Sequence, residues 1–262
     1  MQPLYNVLLL TRGQCDRFDV VLVSPRNPLN IGAVARAMAN FGFSRLHVVA
    51  PFAPVWREAR SAVGAPELLA NALESPNLAE AVADCTLVAG TGTLTYRKPG
   101  QPVVALPHLA PLVRKELDCG GRIALVFGSE KHGLTREDLS YCHLLVEIPT
   151  NSEQPSMNLG QAVAVCLYEL AARAPEAETD PRAHSDPAPT SERLELLADL
   201  IQETMDATGY SPPGMRPANR YDLRLLLRRL SLSAHDTRRI LGIFRRILWR
   251  LRRAPASGDE HV

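Results

Sequence analysis

Residues 123–148 read IALVFGSEKHGLTREDLSYCHLLVEI and contain the alternation that decides the fold class. Two apolar runs, IALVF at 123–127 and LLVEI at 144–148, have the length and the boundaries of buried strands. Between them lie a glycine-bounded polar loop and a short helical pattern over residues 137–142. A strand, a helix and a second strand in this order predict two parallel strands joined by a crossover helix.

The same alternation continues towards both ends of the chain. Three more strand-like runs and four more helical patterns follow the scheme, namely residues 20–23, 46–49 and 87–89, and residues 30–41, 66–73, 107–116 and 158–173. We therefore predict an α/β domain with a mostly parallel sheet that is covered by helices on both faces. In such sheets, ligands bind beyond the carboxyl ends of the strands.

The composition changes after the last of these helical patterns. Residues 173–190 are rich in Pro, Ala, Ser and acidic side chains, which is typical of a semi-extended linker. Helical patterns return at 191–208, 221–230 and 234–253. We predict a domain over 1–172, a linker over 173–190, a basic helical extension over 191–253 and a flexible tail over 254–262.

The formal net charge of +1 on 262 residues conceals a strong asymmetry. Residues 216–253 contain twelve arginines against two aspartates, an excess of ten positive charges. Residues 1–215 contain 17 basic and 24 acidic side chains, an excess of seven negative charges. A cationic segment of this kind is typical of contacts with phosphate groups.

Several classes of protein do not fit the sequence. Five widely spaced cysteines without a CxxC pair predict neither a disulfide framework nor a zinc site, which favours a reducing cytoplasm. No apolar stretch reaches the length of a membrane helix, and no basic segment precedes the first apolar run as in a signal peptide. Dinucleotide, P-loop and nucleophile-elbow signatures are absent, and the histidines show no metal-ligand spacing.

The first block with candidate chemistry is the loop after the first strand, SPRNPLNIG at 24–32. Asn30 is a plausible N-cap of the following helix, and Arg36 lies six residues further along it. Alternating alanines keep this helix slim and permit close packing. An ordinary strand-to-helix turn with a solvated arginine is the alternative.

The second block is LVFGSEKHGLT at 125–135. Gly128 would let a ligand approach the backbone, and Glu130 can accept hydrogen bonds from free amides at a helix entrance. A glycine-rich connection whose glutamate only caps a helix is the alternative.

The third block is IPTNSEQPSMNLGQA at 148–162, a long polar loop between a buried strand and a strong helix. So many polar groups beside a core need partners, and a bound ligand can provide them. Ser156 and Asn158 lie at the helix entrance. A long loop with an ordinary N-cap is the alternative.

Three longer segments that overlap these blocks resemble, in order and spacing, the three motifs of the SPOUT-class RNA 2′-O-ribose methyltransferases, the TrmH superfamily. They are NPLNIGAVARAMANFGF at 27–43, LVFGSEKHGLTREDL at 125–139 and IPTNSEQPSMNLGQAVAVCLYEL at 148–170. The resemblance covers about residues 19–172. The linker and the short basic extension are similar to the TrmJ branch, which methylates nucleotide 32 in the tRNA anticodon loop.

The resemblance implies a carboxy-terminal trefoil knot, an S-adenosylmethionine cofactor bound in it, and a homodimer paired through the knotted domain. It assigns catalytic roles to Asn30, Arg36, Glu130, Ser156 and Asn158. It assigns cofactor contacts to Thr91, Gly92, Thr93, Gly128, Ile148, Ser156 and Met157. No metal is expected, because the histidines show no ligand spacing. The expected function is 2′-O-methylation of tRNA; ribosomal RNA methylation, or RNA binding without turnover, is the alternative.

The helical extension carries the candidate RNA contacts. Helical spacing places arginines beside a seam of Leu, Ile, Phe and Trp, and the candidates are Arg224, Arg228, Arg239, Arg245, Arg246 and Arg250. Two alternatives remain open for this segment. It could be a solvated arginine face over a dimer or domain contact, or a basic amphipathic helix on a membrane surface.

Overall fold

The computed structural model describes residues 10–52, 56–59, 61–92, 99–172, 187–212 and 214–253. The strands are β1 (Phe18–Val23), β2 (Arg45–Val49), β3 (Leu73–Ser75), β4 (Leu87–Thr91), β5 (Val103–Ala105), β6 (Ile123–Phe127) and β7 (Leu144–Glu147). The helices of the sheet domain are α1 (Arg12–Cys15), α2 (Pro28–Asn40), α3 (Pro66–Ala70), α4 (Leu78–Ala81), α5 (Leu109–Asp118), α6 (Arg136–Ser140) and α7 (Leu159–Ala172). The extension contributes α8 (Ser191–Ala207), α9 (Arg216–Arg229) and α10 (Ala234–Arg253). Short 3-10 turns lie at Trp56–Glu58 and Leu106–His108.

All seven strands form one sheet in the order β3-β2-β1-β6-β4-β7-β5, and every pair is parallel. The predicted α/β class with a parallel sheet is therefore confirmed, and each of the five predicted strands is present. The sequence did not predict β3 and β5. These two strands are three residues long and lie at the two edges, where Leu73 and Val103 are exposed, so they lack a buried apolar run.

Successive side chains of the central strands belong alternately to two hydrophobic cores. Along β1, Val20 and Leu22 belong to the larger core, whereas Val21 and Val23 belong to the smaller core on the opposite face. Successive side chains of a strand point to opposite faces, so a strand that is apolar at every position needs cover on both. The helices on both faces provide it.

Several predicted helix ends differ from the observed ones, and the largest difference is at α9, which begins at Arg216 and not at 221. Helix α2 begins at Pro28, and the side chain of Asn27 accepts a hydrogen bond from the amide of Leu29 at 2.9 Å. Asn27 is therefore the N-cap, and the prediction of Asn30 was wrong, because proline at the first helical position fixes the cap one residue before it. The helix predicted over 66–73 ends at Ala70, and its last predicted residue belongs to β3.

The helices of the extension pack around a small core of their own. Leu194 and Leu197 of α8 meet Leu223 and Leu227 of α9 and Leu241 of α10. The extension is also joined to the sheet domain, since the amide of Ser191 donates to the carbonyl of Cys85 at 2.8 Å. Residues 173–186 of the predicted linker and the whole predicted tail over 254–262 lie outside the described residues.

Candidate active site

A cavity of about 550 Å³ lies beyond the carboxyl ends of β4, β6 and β7, which are neighbours in the sheet. The loops that follow these three strands form its wall, as expected for a parallel sheet. Six predicted cofactor contacts are in this wall, namely Thr91, Gly92, Gly128, Ile148, Ser156 and Met157. The seventh, Thr93, lies outside the described residues.

The hydroxyl of Thr91 stabilises the sheet. It is buried and donates a hydrogen bond to the carbonyl oxygen of Val126 at 3.0 Å, which joins the ends of β4 and β6. The amide of Gly92 donates to the carbonyl of Val146 in β7. These bonds fix the strand ends that surround the cavity.

The loop 128–134 folds back on itself. A Cβ atom at Gly128 would lie 2.0 Å from the carbonyl carbon of Gly133 and 2.2 Å from the amide nitrogen of Leu134. The amide of Gly133 donates to Ser129 at 2.8 Å, and Gly133 has φ +65°. Glycine at 128 is therefore required by the packing of the loop, a reason that the sequence did not reveal.

The carboxylate of Glu130 accepts three hydrogen bonds from the loop before α2 and from the first turn of this helix. The amide of Arg26 donates to one oxygen at 2.9 Å, while the amide of Asn27 and the side chain of Asn30 donate to the other at 3.0 and 2.9 Å. Partial burial alone would raise the pKa of Glu130, but these bonds outweigh it and lower the pKa. Glu130 is therefore ionised at neutral pH and holds the start of α2.

A continuous chain of side chains connects the three sequence motifs. Asn30 donates to Glu130 through Nδ2 and accepts from Nδ2 of Asn158 through Oδ1 at 2.9 Å. Asn158 in turn caps α7, since its Oδ1 accepts from the amide of Gly160 at 2.9 Å. The side chain of each residue thus fixes the position of the next. Glu130 lies in the cavity wall, so the network is continuous with the cavity.

Arg36 and Ser156 lie in different surroundings. Ser156 is exposed and lines the cavity. Arg36 is exposed on the outer face of α2, in line with Leu29 and Asn40, and it is not part of the described cavity wall. The structure brings four of the five predicted catalytic residues together and places Arg36 outside that group.

Glu130→Gln should lower the free energy of unfolding, and the size of this decrease should depend on pH. An amide can accept at only one of its two terminal atoms, so we expect a loss of about 1 kcal/mol at pH 7, discounted for solvent exposure. The folded-state pKa of Glu130 is lowered, so this contribution is present above the unfolded pKa and is lost as the pH falls through the folded value. Urea unfolding of both proteins between pH 7 and pH 3 measures it.

Glu153→Gln is the matched control, because Glu153 is an exposed glutamate in the loop after β7. It should leave stability unchanged at every pH. A difference between wild type and Glu130→Gln that grows towards acidic pH would contradict the assigned role.

Two predicted RNA contacts are buried. Arg224 is 8% and Arg228 is 4% exposed, and both guanidinium groups pair with Glu195, at 2.9 and 3.2 Å. Arg224 also pairs with Glu137 on α6. Both were predicted as RNA contacts, but the structure buries them and pairs them with carboxylates where α9 packs against α6. The alternative of a solvated arginine face over a domain contact agrees with the contact but not with the solvated face, and we do not retain the two arginines as RNA contacts.

The other four predicted RNA contacts are exposed on α10, namely Arg239, Arg245, Arg246 and Arg250. The guanidinium of Arg246 lies 4.2 Å from the ring centroid of Trp249, and that of Arg253 lies 4.3 Å from the same ring. Sequence reasoning missed Arg253, although its spacing of four residues from Trp249 predicts such a contact on a helix.

Within the described ranges, no group of three or more His, Cys, Asp or Glu side chains could hold a metal ion. No helix in the described part of the chain is long and apolar enough to cross a membrane.

Comparison with known proteins gave consistent matches. Residues 17–168 match the model of the SpoU rRNA Methylase family. The chain is 34% identical to the tRNA (cytidine/uridine-2′-O-)-methyltransferase TrmJ of Pectobacterium atrosepticum, covering 89% of this chain and 95% of the relative. It is 34% identical to the tRNA (cytidine/uridine/adenosine-2′-O-)-methyltransferase TrmJ of Pseudomonas aeruginosa, covering 87% and 92%. The crystal structure of TrmJ from Z. mobilis ZM4 superposes with a TM-score of 0.76 at 30% identity, covering 88% of this chain and 98% of that one.

Proposed function

Because the chain belongs to the SpoU rRNA Methylase family and, within it, to the TrmJ branch, we propose that it methylates a ribose 2′-hydroxyl of tRNA. We propose S-adenosylmethionine as the methyl donor and nucleotide 32 of the anticodon loop as the target. The observation that carries the proposal is the chain from Glu130 through Asn30 to Asn158, which joins all three motifs beside one cavity.

The cavity fits a cofactor of this size and chemistry. Its volume of about 550 Å³ is within the usual range of small-molecule sites, about 300–1,000 Å³. Its wall combines backbone groups at Gly92 and Gly128 with apolar side chains of Leu134, Ile148 and Met157. Thr91, Ser156 and Thr93 complete the proposed set of cofactor contacts. The bound cofactor would supply an electrophilic methyl group.

We also propose that the three cavity loops form the trefoil knot of the SPOUT fold. Strand β7 follows β4 and β5 in the sequence but lies between them in the sheet. The chain therefore returns to place a late strand between two earlier ones, and this strand order supports the proposal.

The proton chemistry of the proposed reaction does not use Glu130 as a base. Both of its oxygens accept hydrogen bonds, and its lowered pKa keeps it charged and weakly basic. A guanidinium group does not act as a general base in proteins, so the base is not Arg36 either. From the resemblance, we assign Arg36 the binding of a phosphate and the stabilisation of negative charge on the 2′-oxygen, although its side chain is exposed on α2 and is not part of the described cavity wall. The proton then leaves to a phosphate oxygen or to water.

The extension supplies the proposed RNA surface. The exposed arginines of α10, Arg239, Arg245, Arg246 and Arg250, present positive charge to a phosphate backbone. In this proposal residues 1–172 form the catalytic domain and 191–253 the RNA-binding extension, joined by 173–190 and followed by the tail 254–262. The tRNA-acting relatives and five free cysteines support a cytoplasmic location.

We propose a homodimer formed through α2 and α7. Three large apolar side chains are exposed on these two helices, namely Leu29 (56%), Val165 (38%) and Tyr168 (46%). Phe41 extends the patch, since its ring centroid lies 6.0 Å from that of Tyr168. Exposed apolar side chains grouped in this way are typical of an interaction surface.

Tyr168→Arg should separate the dimer, because a charged side chain would have to be buried in the apolar contact. Light scattering should give twice the mass of one chain for the wild type and the mass of one chain for the variant. Tyr210→Arg, at a 75% exposed tyrosine in the extension, is the control and should remain a dimer. A wild-type monomer, or a dimeric Tyr168→Arg, would contradict this interface.

The test of the proposed function uses purified full-length protein, methyl-labelled S-adenosylmethionine and total RNA, followed by mapping of 2′-O-methyl sites. We expect label in tRNA. Label confined to ribosomal RNA would overturn the tRNA assignment in favour of the reaction that the family description names. An absence of label from all RNA would favour a protein of the same fold that binds RNA without turnover.

A further inference from the structure

An aromatic ring is displayed beside the active-site network. Phe52 is 67% exposed, the largest value among the six phenylalanines of the chain, all of which are described. The guanidinium of Arg26 lies 4.3 Å from its ring centroid. Phe52 follows the carboxyl end of β2 and Arg26 follows that of β1, so the pair lies on the ligand-binding edge of the sheet.

The pair is fixed in position through its backbone. The amide of Phe52 donates to the carbonyl of Pro25 at 3.1 Å, and the amide of Arg26 donates to Glu130 at 2.9 Å. The two loops begin with non-glycine residues in the left-handed region, Ser24 at φ 48° and Ala50 at φ 43°. Unfavourable backbone conformations of this kind persist where the surrounding structure imposes them, and they cluster at functional sites.

The chemistry of the pair suits an unpaired nucleobase. Proteins bind the bases of single-stranded RNA loops by stacking them on aromatic rings and on guanidinium planes. A purely apolar partner would gain nothing from the charge of Arg26, whereas an RNA strand offers a base for the ring and a phosphate for the guanidinium.

We propose that Phe52 and Arg26 form a stacking platform for a nucleobase that flanks the methylated nucleotide. This inference rests on the proposed function, because it takes an RNA loop as the ligand. The platform is joined to Glu130 through Arg26, so a base stacked on it holds the neighbouring ribose in a fixed relation to the network. Phe52 is thus a binding residue for RNA and has no role in cofactor binding.

The test measures the affinity of a fluorescent anticodon stem-loop for full-length protein by anisotropy, with S-adenosylmethionine affinity and methylation measured in parallel. Phe52→Ala should raise the Kd for the stem-loop about tenfold, within the range found for the loss of one base–aromatic stack. Phe52→Trp should restore binding. Val63→Ala removes another exposed apolar side chain and should bind like the wild type.

The contacted base is identified with stem-loops that lack one base on either side of the target nucleotide. At the correct position, the missing base should abolish the difference between wild type and Phe52→Ala. An unchanged stem-loop Kd in Phe52→Ala would overturn the platform, as would a loss explained by a changed oligomeric state or by weaker cofactor binding. Because binding is measured directly, a wild type that binds the stem-loop without methylating it would contradict the proposed function alone.

Discussion

An Arg36→Lys enzyme should lose about 100- to 1,000-fold in kcat, the range found when a group that stabilises transition-state charge is removed. Lysine keeps the positive charge but lacks the planar, two-pronged guanidinium that can hold a phosphate and the developing oxyanion together. Single-turnover methylation with saturating tRNA and cofactor measures the effect directly. The affinities for tRNA and cofactor should change much less than kcat.

The matched control for Arg36 is Asn40→Ala. Asn40 lies on the same outer face of α2, one turn further along, and is exposed. Its replacement should leave kcat unchanged. Near-normal turnover in Arg36→Lys would show that a two-pronged contact is not essential and would remove Arg36 from the proposed mechanism.

The second large effect concerns the attachment of the extension. Glu195 on α8 forms ion pairs with Arg220, Arg224 and Arg228, and its side chain is largely buried. Glu195→Gln would leave these cations without their shared carboxylate. Breaking a buried ion pair in this way lowers the free energy of unfolding by about 3 kcal/mol or more. At about 2–4 °C per kcal/mol for a chain of this size, the melting temperature should fall by roughly 6–12 °C.

Glu203→Gln provides the comparison for Glu195. Glu203 is on the same helix and pairs with Arg252 at 2.9 Å, but both side chains are exposed. Exposed pairs contribute about 0–1 kcal/mol, so this variant should melt close to the wild type. Equal melting temperatures for Glu195→Gln and Glu203→Gln would contradict the account of a buried network.

The sequence predicted those strands that are buried on both faces, because their residues form continuous apolar runs. Strands β1 and β6 are apolar at nearly every position because both faces are covered, and such runs are visible without a structure. The edge strands β3 and β5 have exposed side chains and owe their conformation to pairing with β2 and β7. Pairing between distant segments leaves no local pattern.

The sequence predicted which residues belong to the site, but it did not predict the hydrogen bonds that connect them. The polar blocks predicted Glu130, Asn30 and Asn158 individually, yet the hydrogen bonds between them join residues 100 and 128 positions apart. The arginine pattern of α9 predicted RNA contacts at Arg224 and Arg228, and the structure buries both side chains. Helical spacing cannot reveal that α6 packs against this helix. Phe52 was missed since a single aromatic in a loop has no periodicity.

Methylation of matched tRNA transcripts tests the central claim most directly. One transcript carries a 2′-deoxyribose at nucleotide 32 and another carries it at a neighbouring nucleotide of the anticodon loop. We predict that the protein transfers labelled methyl groups to the unmodified transcript and to the neighbouring deoxy transcript, but not to the transcript that lacks the 2′-hydroxyl at nucleotide 32. Undiminished labelling of the 32-deoxy transcript would contradict the account.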